Sequence, residues 1–426
     1  MKKVIVAAII TILFWGMTGV ALAGPGRDDL MMELKNLVER QQRQLDAQAG
    51  EIARLKEQMA ELSGTQSAVS EKLAAVETEG EKVSVSPGNK HAEVQLYGHV
   101  NRAVLWTDDG NSSKTYFVDN TNSMTRMGIR GKVQATDDFS VGTWIEVGLT
   151  TNPSSAVDQL DETSFEGDII KRQLDLYLQS KKYGKLSLGH GSTASDGTSE
   201  VDLSATSVVA YSFVDYLAGG QFFYDRQNNM LSDTDIGNVF NNMDGLSRRD
   251  RIRYDSPSFS GFSVAGSYSS NYMGDIALRY NRDFSGTKFA ATAAWASPGD
   301  FIPIADDQYN GSLSVLLKNG LNATLAGGLQ TMKDDSRDDA NFWYAKLGYQ
   351  AKLFTFGQSN FSADYARSKH IDMDNDTAFS FGLAFVQNIK EWGTELYIAY
   401  RWHDLDRTGE DFDNINAVMS GARVKF

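Results

Sequence analysis

Two hydrophobic periods divide the chain. From Met31 to Val76 the seam positions alternate in steps of three and four, through Leu34, Val38, Leu45, Ile52, Leu55, Met59, Leu62, Val69 and Leu73. A narrow stripe of period 3.5, with no proline between Pro25 and Pro87, predicts a coiled coil. Gln41, Gln48 and Gln66 sit in that seam and cost stability while fixing register. From Glu93 onward the period is two. In 123–136, Thr125, Met127, Ile129, Val133 and Ala135 share one face, and Arg126, Arg130, Lys132 and Gln134 the other. In 139–151, Val141, Ile145 and Leu149 oppose Ser140, Glu146 and Thr150. Counted this way the chain holds sixteen candidate strands, the first at 94–106 and the last at 415–426. Pro153, Pro257, Pro298 and Pro303 all fall between strands, where a missing N–H costs the ladder nothing. Asn319-Gly320 is the favoured type I′ pair for a hairpin.

An even number of strands, each about ten residues long, with short connections at one end and long ones at the other, suits a transmembrane barrel. Aromatic residues near strand ends (Trp106, Trp295, Trp343, Trp392, Trp402) fit the interfacial girdles of such a barrel. A soluble sandwich would instead have similar turns at both ends. The expectation is a 16-stranded antiparallel transmembrane β-barrel, apolar outside and polar inside, preceded by an α-helical coiled coil. Mean hydropathy is negative, as expected when half of each strand faces water. Closure also removes the sheet edges that lipid cannot satisfy. Arg102 alone breaks the alternation of the first strand, and a bulge is the expectation there.

The N-terminus adds a compartment. Lys2 and Lys3, an apolar run from Val4 to Val20 and Ala21-Leu22-Ala23 read as a cleaved leader over 1–23. The expected order is then a periplasmic coiled coil over 24–80, a linker over 81–92, and an outer-membrane barrel over 93–426. Cysteine is absent, which removes thiol chemistry and Cys-based metal sites. The five histidines include no pair at zinc-ligand spacing. An excess of 55 acidic over 41 basic residues argues against nucleic acid as a partner. Asp372-x-Asp374-x-Asp376 resembles the front of a calcium loop but has Leu383 where the twelfth-position Glu belongs, so solvated loop acids are expected. No cofactor and no metal are expected, and no enzymatic constellation is recognisable.

The chemistry lies in the arginines. In LSRRDRIRYDSP, Ile252 and Tyr254 take the lipid face, so Arg249, Arg251 and Arg253 project inward. Guanidiniums facing lipid near the midplane would cost several kcal/mol each, about 2–4. Arg126, Arg130, Lys171, Arg279 and Arg401 are read as pointing inward too. The alternative is a lattice of arginines paired with Glu146, Asp175, Asp364 and Glu395, filling a plugged barrel. The connection 192–247 is oversized and acidic, and folded inward it would narrow the pore, with Asp215 and Asp225 opposite the arginines.

LYGHVNRAVLWTDDG (96–110), VDNTNSMTRMGIRGK (118–132) and RIRYDSPSFSGF (251–262) resemble strands one, two and six-to-seven of Gram-negative general porins. The resemblance implies a sixteen-stranded homotrimer in the outer membrane, surrounded by lipid and lipopolysaccharide, whose third loop constricts the pore. That family's basic cluster lies on strands two, four and six, matching Arg126, Arg130, Lys171, Arg249, Arg251 and Arg253. The terminal Phe426 fits its assembly signal, but its short acidic loop-three motif is not recognisable here. The coiled-coil prefix is similar to DcaP-like trimeric porins, which take up carboxylic acids. The expected function is passive diffusion of small hydrophilic solutes with a bias toward anions or carboxylates. The alternatives are a substrate-selective carboxylate channel and a structural tether in which the helical rod reaches peptidoglycan.

Overall fold

The computed structural model describes residues 92–161 and 168–426. The leader, the coiled coil and residues 81–91 of the linker lie outside the described residues. Nineteen strands occur among the described residues: β1 (Ala92–Asp108), β2 (Ser113–Asp119), β3 (Arg126–Gln134), β4 (Phe139–Thr150), β5 (Asp168–Ser180), β6 (Gly184–Ser192), β7 (Phe222–Asp225), β8 (Met230–Asp235), β9 (Arg248–Asp255), β10 (Phe262–Ser269), β11 (Gly274–Phe284), β12 (Thr287–Ser297), β13 (Ala305–Leu316), β14 (Leu321–Met332), β15 (Ala340–Phe354), β16 (Gly357–Lys369), β17 (Thr377–Ile389), β18 (Thr394–Asp406) and β19 (Ile415–Lys425). β7 and β8 pair only with each other. β2 and β3 lie end to end on one side of β1, on Arg102–Asp108 and Ala92–His99 respectively, so they form one barrel strand. On its other side β1 pairs with β19, from His99↔Lys425 to Asp108↔Asn416. The sheet is a closed antiparallel barrel of sixteen strands.

The second barrel strand is longer than the predicted 123–136, because β2 extends it back to Ser113, and it is interrupted between β2 and β3. The Asp119 carboxylate accepts from the Thr125 N–H at 3.0 Å, and Asn120 Oδ1 accepts from the Asn122 N–H at 3.0 Å. Short polar side chains that capture nearby backbone donors compete with the ladder, and a 3-10 turn at Thr121–Ser123 replaces it.

Alternation sets the two faces. Val141, Ile145 and Leu149 of β4 and Leu174, Leu176 and Leu178 of β5 are exposed on the outer wall, while Ser140, Glu146, Thr150 and Asp175 are buried inside. The outer tryptophans Trp106, Trp295, Trp343 and Trp392 are exposed as well. Closure ends on an aromatic ring. Phe426 exchanges backbone hydrogen bonds with Gly98 at 3.0 and 3.1 Å. Its ring lies so close that a Cβ on Gly98 would stand 2.6 Å from Phe426 Cζ, which leaves room only for glycine. Arg102 is not in a bulge. Its registers with β2 and β19 run without a shift, and its side chain points outward and donates to the Thr151 carbonyl at 2.9 Å.

The connection 193–247 turns inward and lies along the inner face of β12 to β16. Backbone groups there need partners away from bulk water, and hydroxyls supply them. Ser312 Oγ donates to the Thr198 carbonyl (2.7 Å) and accepts from the Val201 N–H (3.1 Å). Ser314 Oγ accepts from the Leu203 N–H at 2.9 Å. Lys346, fully buried, donates to Asp202 Oδ2 (2.7 Å), Thr206 Oγ1 (3.1 Å) and the Ala210 carbonyl (2.6 Å). Further on, Asn120 Nδ2 holds the Val208 carbonyl (2.9 Å) and Thr107 holds Gln221 (2.8 Å), so the segment spans the lumen back to β1. Between segment and wall, Val209, Leu217, Phe223 and Ile236 join Phe342, Ala399 and Met419 in an apolar core inside the barrel. Ile236 opens a single helical turn, α1 (Ile236–Val239), capped by Asp235.

Candidate functional site

What remains of the lumen at this level is a cavity of about 690 Å³. One wall is cationic, formed by Arg126 at the start of β3, Arg172 on β5, Arg248 at the start of β9 and Arg423 on β19. The facing wall is the inner segment, which contributes Asp196, Glu200, Asp244 and the aromatic side chains Tyr211, Phe213 and Tyr216. Phe301, Ile302, Ile304 and Ile371, from loops between strands, add an apolar rim.

The cationic wall has fewer acids than bases. Glu146 takes Arg172 Nε at 2.7 Å and stands 3.9 Å from Arg126 Nη1, so one carboxylate serves two guanidiniums. Glu395 likewise serves Arg423 at 2.5 Å and Lys425 at 2.9 Å. The acids opposite have partners of their own. Asp244 accepts from the Gly197 N–H (2.7 Å), the Ser199 N–H (3.1 Å) and Ser199 Oγ (2.9 Å). Its burial, with Asp196 nearby, pushes its carboxyl up to about 6. Burial and the neighbouring carboxylates Asp244 and Asp196 raise Glu200 further above the ordinary carboxylate range. Asp196 faces Arg248 at 3.7 Å.

Of the side chains singled out from the sequence, Arg126 lines this cavity. Arg130 lies further along β3, its guanidinium between the rings of Tyr97 (4.8 Å) and Trp144 (4.4 Å). Ile252 and Tyr254 are exposed on the outer wall, so the arginines between them point inward. They differ in what they hold. Arg251 is buried in a bidentate pair with Asp175 (2.9 and 3.1 Å). Arg253 grips the Thr193 carbonyl (2.5 Å) and Asp255 (2.6 Å), and Arg279 the Ala194 carbonyl (2.5 Å), so both pin the start of the inner segment. Arg249 stacks on Phe301 at 3.5 Å. Arg401 is buried against Asp364 at 2.8 Å. All four acids of the lattice reading therefore carry an arginine, yet the lumen is not filled, since the cavity remains beside them.

Three expected positions move. Lys171 lies on the outer wall, 3.3 Å from Asp250. A register shift opposite Glu146/Val147 leaves Arg172 as the extra residue, so the parity of β5 flips there and Arg172 turns inward. Asp215 is buried in the 3-10 turn Val214–Leu217, with Oδ1 lacking a partner among the described residues, and burial raises its carboxyl well above the usual range. Asp225 ends β7 and is bonded to Gln227 and Asn228 in its own turn. Neither of these acids borders the cavity. Arg172, Arg248, Arg423 and Asp244 were not singled out from the sequence. The adjacent Lys171-Arg172 pair did carry a signal, because one of two neighbours on a strand must face inward.

Away from that cavity, the calcium-loop-like acids hold an internal cation. Arg407 donates to Asp376 at 2.6 and 2.9 Å and to Asp372 at 2.6 Å. Asp338, His370 and Asp374 place ligand atoms within 4.8 Å of one another, but Arg337 stands 3.7 Å from Asp374, and His370 Nδ1 accepts the Asn375 N–H at 2.9 Å.

Among solved structures, the anion-selective porin from Comamonas acidovorans is similar in fold at a TM-score of 0.52 and 16% identity, covering 79% of this chain and 100% of that one. OmpT of Vibrio cholerae aligns at 0.52 and 12%, covering 81% and 100%. DcaP of Acinetobacter baumannii aligns at 0.49 and 13%, covering 81% and 100%, and at that level the likeness carries nothing about substrate. No curated sequence matches. The family model described as Gram-negative porin matches residues 82–408, from the linker through the strand that precedes β19. A closed barrel with an apolar exterior and an inner segment across its lumen is the architecture that match implies, and the chain belongs to the Gram-negative porin family, whose members are outer-membrane channels rather than enzymes.

Proposed function

We propose that the barrel is a water-filled channel for passive diffusion of small hydrophilic solutes, biased toward anions. The observation that carries this reading is the charge balance of the cationic wall, where Glu146 and Glu395 are each shared by two cations. Uncompensated guanidiniums in a confined passage raise the local concentration of anions. The Comamonas acidovorans porin of similar fold is described as anion-selective. In planar bilayers across a potassium chloride gradient, the reversal potential should show chloride preference. Replacing Arg126 and Arg172 together by Gln should move it toward potassium. A parent channel that prefers potassium would overturn the reading.

The assembly is proposed to be a homotrimer. OmpT of Vibrio cholerae is described in a trimer form. On this chain, Arg102 points outward between the exposed Val100 and Val104, where lipid would cost a guanidinium about 2–4 kcal/mol. Beside it, β19 presents the small outward side chains Ser420 and Ala422, leaving a depression on the outer wall. A neighbouring protomer over this face would solvate Arg102 and fill the depression. The segment 24–80, read as a periplasmic coiled coil, would strengthen the assembly. Deleting it should lower the temperature at which trimers dissociate in detergent.

A further inference from the structure

The cavity pairs its arginines with an aromatic surface, and simple ion conduction does not require that surface. In the 3-10 turn Val214–Leu217, with Phe213 at its cap, residues three apart eclipse one another. Phe213 and Tyr216 therefore stack, with centroids 4.0 Å apart and planes 12° from parallel. Tyr211 packs edge-on against Tyr216 at 6.1 Å. Phe213 and Tyr216 are only partly buried, while Tyr211, Ser212, Val214, Asp215 and Leu217 around them are buried. A partly open stacked pair on a 3-10 turn that borders the cavity is a surface for a planar apolar group.

Spare donors lie on the other side of the same cavity. Arg126 donates from Nε to the Met124 carbonyl at 3.1 Å and holds Glu146 only at 3.9 Å, which leaves Nη2 uncommitted among the described residues. Arg248 has a buried Nε with no partner among the described residues and a long contact to Asp196. Of the acids facing them, Asp244 is held by Gly197 and Ser199 and Glu200 by Asn242, which leaves Asp196 as the carboxylate that competes for Arg248, at 3.7 Å, while Arg126 has no acid opposite in contact among the described residues. At about 690 Å³ the space is of the size that small-molecule sites occupy, about 300–1,000 Å³.

We infer that the constriction is a binding site for small carboxylates with a planar or apolar body. The carboxylate is received by Arg126 and Arg248, and the body rests on the Phe213–Tyr216 face. The inference rests on the anion-channel reading and names the class of anion. Stacking on an aromatic pair adds what a bare carboxylate lacks, and in exchange for the water it displaces it should lengthen residence about fivefold.

The test is ion-current interruption in single channels of the whole protein, with phenylacetate, acetate and phenethylamine as probes. Phenylacetate should dwell about fivefold longer than acetate, and phenethylamine should produce no comparable events. Phe213→Ala should bring phenylacetate close to acetate, Phe213→Tyr should restore the difference, and Arg126→Gln should shorten both. Heat-resistant trimers of each variant would show that the barrel has assembled. Equal dwell times for phenylacetate and acetate in a parent channel that prefers chloride would sink this inference and leave the channel reading standing. A parent channel that prefers potassium would remove both. Longer dwell for phenethylamine would show that the acids of the segment, not the arginines, govern the site.

Discussion

The two halves of the inner wall solve different problems. On one side Arg126 of β3, Arg172 of β5, Arg248 of β9 and Arg423 of β19 border open space. Around β12 to β14 the inward side chains are Thr292, Gln308, Asn310, Ser312, Ser314 and Thr324, and they are covered. The covered half offers short neutral groups that both donate and accept, which a folded backbone needs at fixed spacing. Charges there would be desolvated with no gain. In the open half, the guanidiniums that border the cavity can act on passing ions. The inner segment thus chooses its wall by chemistry: it lies on hydroxyls and faces guanidiniums.

Lys346, on β15 next to that half, is a buried charge that holds the segment, and removing it should have the largest effect. It is the counter-ion of the Asp202 carboxylate and a donor to three further groups of the inner segment, on Ser204, Thr206 and Ala210. Lys346→Met would leave that carboxylate without its counter-ion, at a cost of about 3–5 kcal/mol. The expected result is a segment open to proteolysis and a larger, noisier conductance. An intact, protease-resistant segment would mean that the hydroxyl contacts suffice alone.

The hydroxyls come next. Ser312→Val and Ser314→Val each leave one backbone N–H of the segment unpaired, that of Val201 and of Leu203, at about 1–3 kcal/mol apiece. Each should lower the midpoint of thermal unfolding and, together, loosen the segment as Lys346→Met does. The comparison fails if Arg251→Gln, on the charged half, loosens the segment more than the double serine variant does.

Much of this was legible in the sequence, and the rest was hidden for definite reasons. Alternation is a property of single strands, so the barrel, its sixteen strands and the outward Ile252 and Tyr254 could be read directly. A bulge changes parity at one residue, which exchanged Lys171 for Arg172. In Asp119-Asn120-Thr121-Asn122-Ser123 the side chains capture backbone donors, and the hydrophobic pattern alone does not report this. The inner segment has no period at all. Nothing in its spacing separates Asp196 and Glu200, on the cavity, from Asp215 and Asp225, turned away. Arg102, the one break in β1, marked an outer face of different character rather than a bulge.

Acidity should then act on the segment's side of the cavity. The Asp244 carboxyl lies near 6, above the roughly 3.9 of an unfolded chain. Folding therefore takes up a proton between about pH 4 and 6, and this group's penalty is greatest above pH 6 and eases as pH falls. Between pH 7 and 5 the cavity should lose a negative charge, so chloride preference should rise while the segment becomes better held. Asp244→Asn should abolish most of that step. A pH dependence unchanged in the variant would assign the step to another group, with Glu200 the next to test.

The smallest expected effect is the sharpest check on the wall itself. Lys171 and Arg172 are neighbours in sequence, but the register shift sends them to opposite faces. Lys171 pairs with Asp250 on the exposed outer surface, where an ion pair is worth about 0–1 kcal/mol. Lys171→Gln should leave the reversal potential unchanged. Arg172→Gln removes one of the two cations that share Glu146, and should move it measurably toward potassium. If the two variants shift selectivity equally, the bulge is misplaced and β5 keeps one parity throughout. If only Lys171→Gln shifts it, the cationic wall runs through Lys171, and Glu146 is left with Arg126 alone.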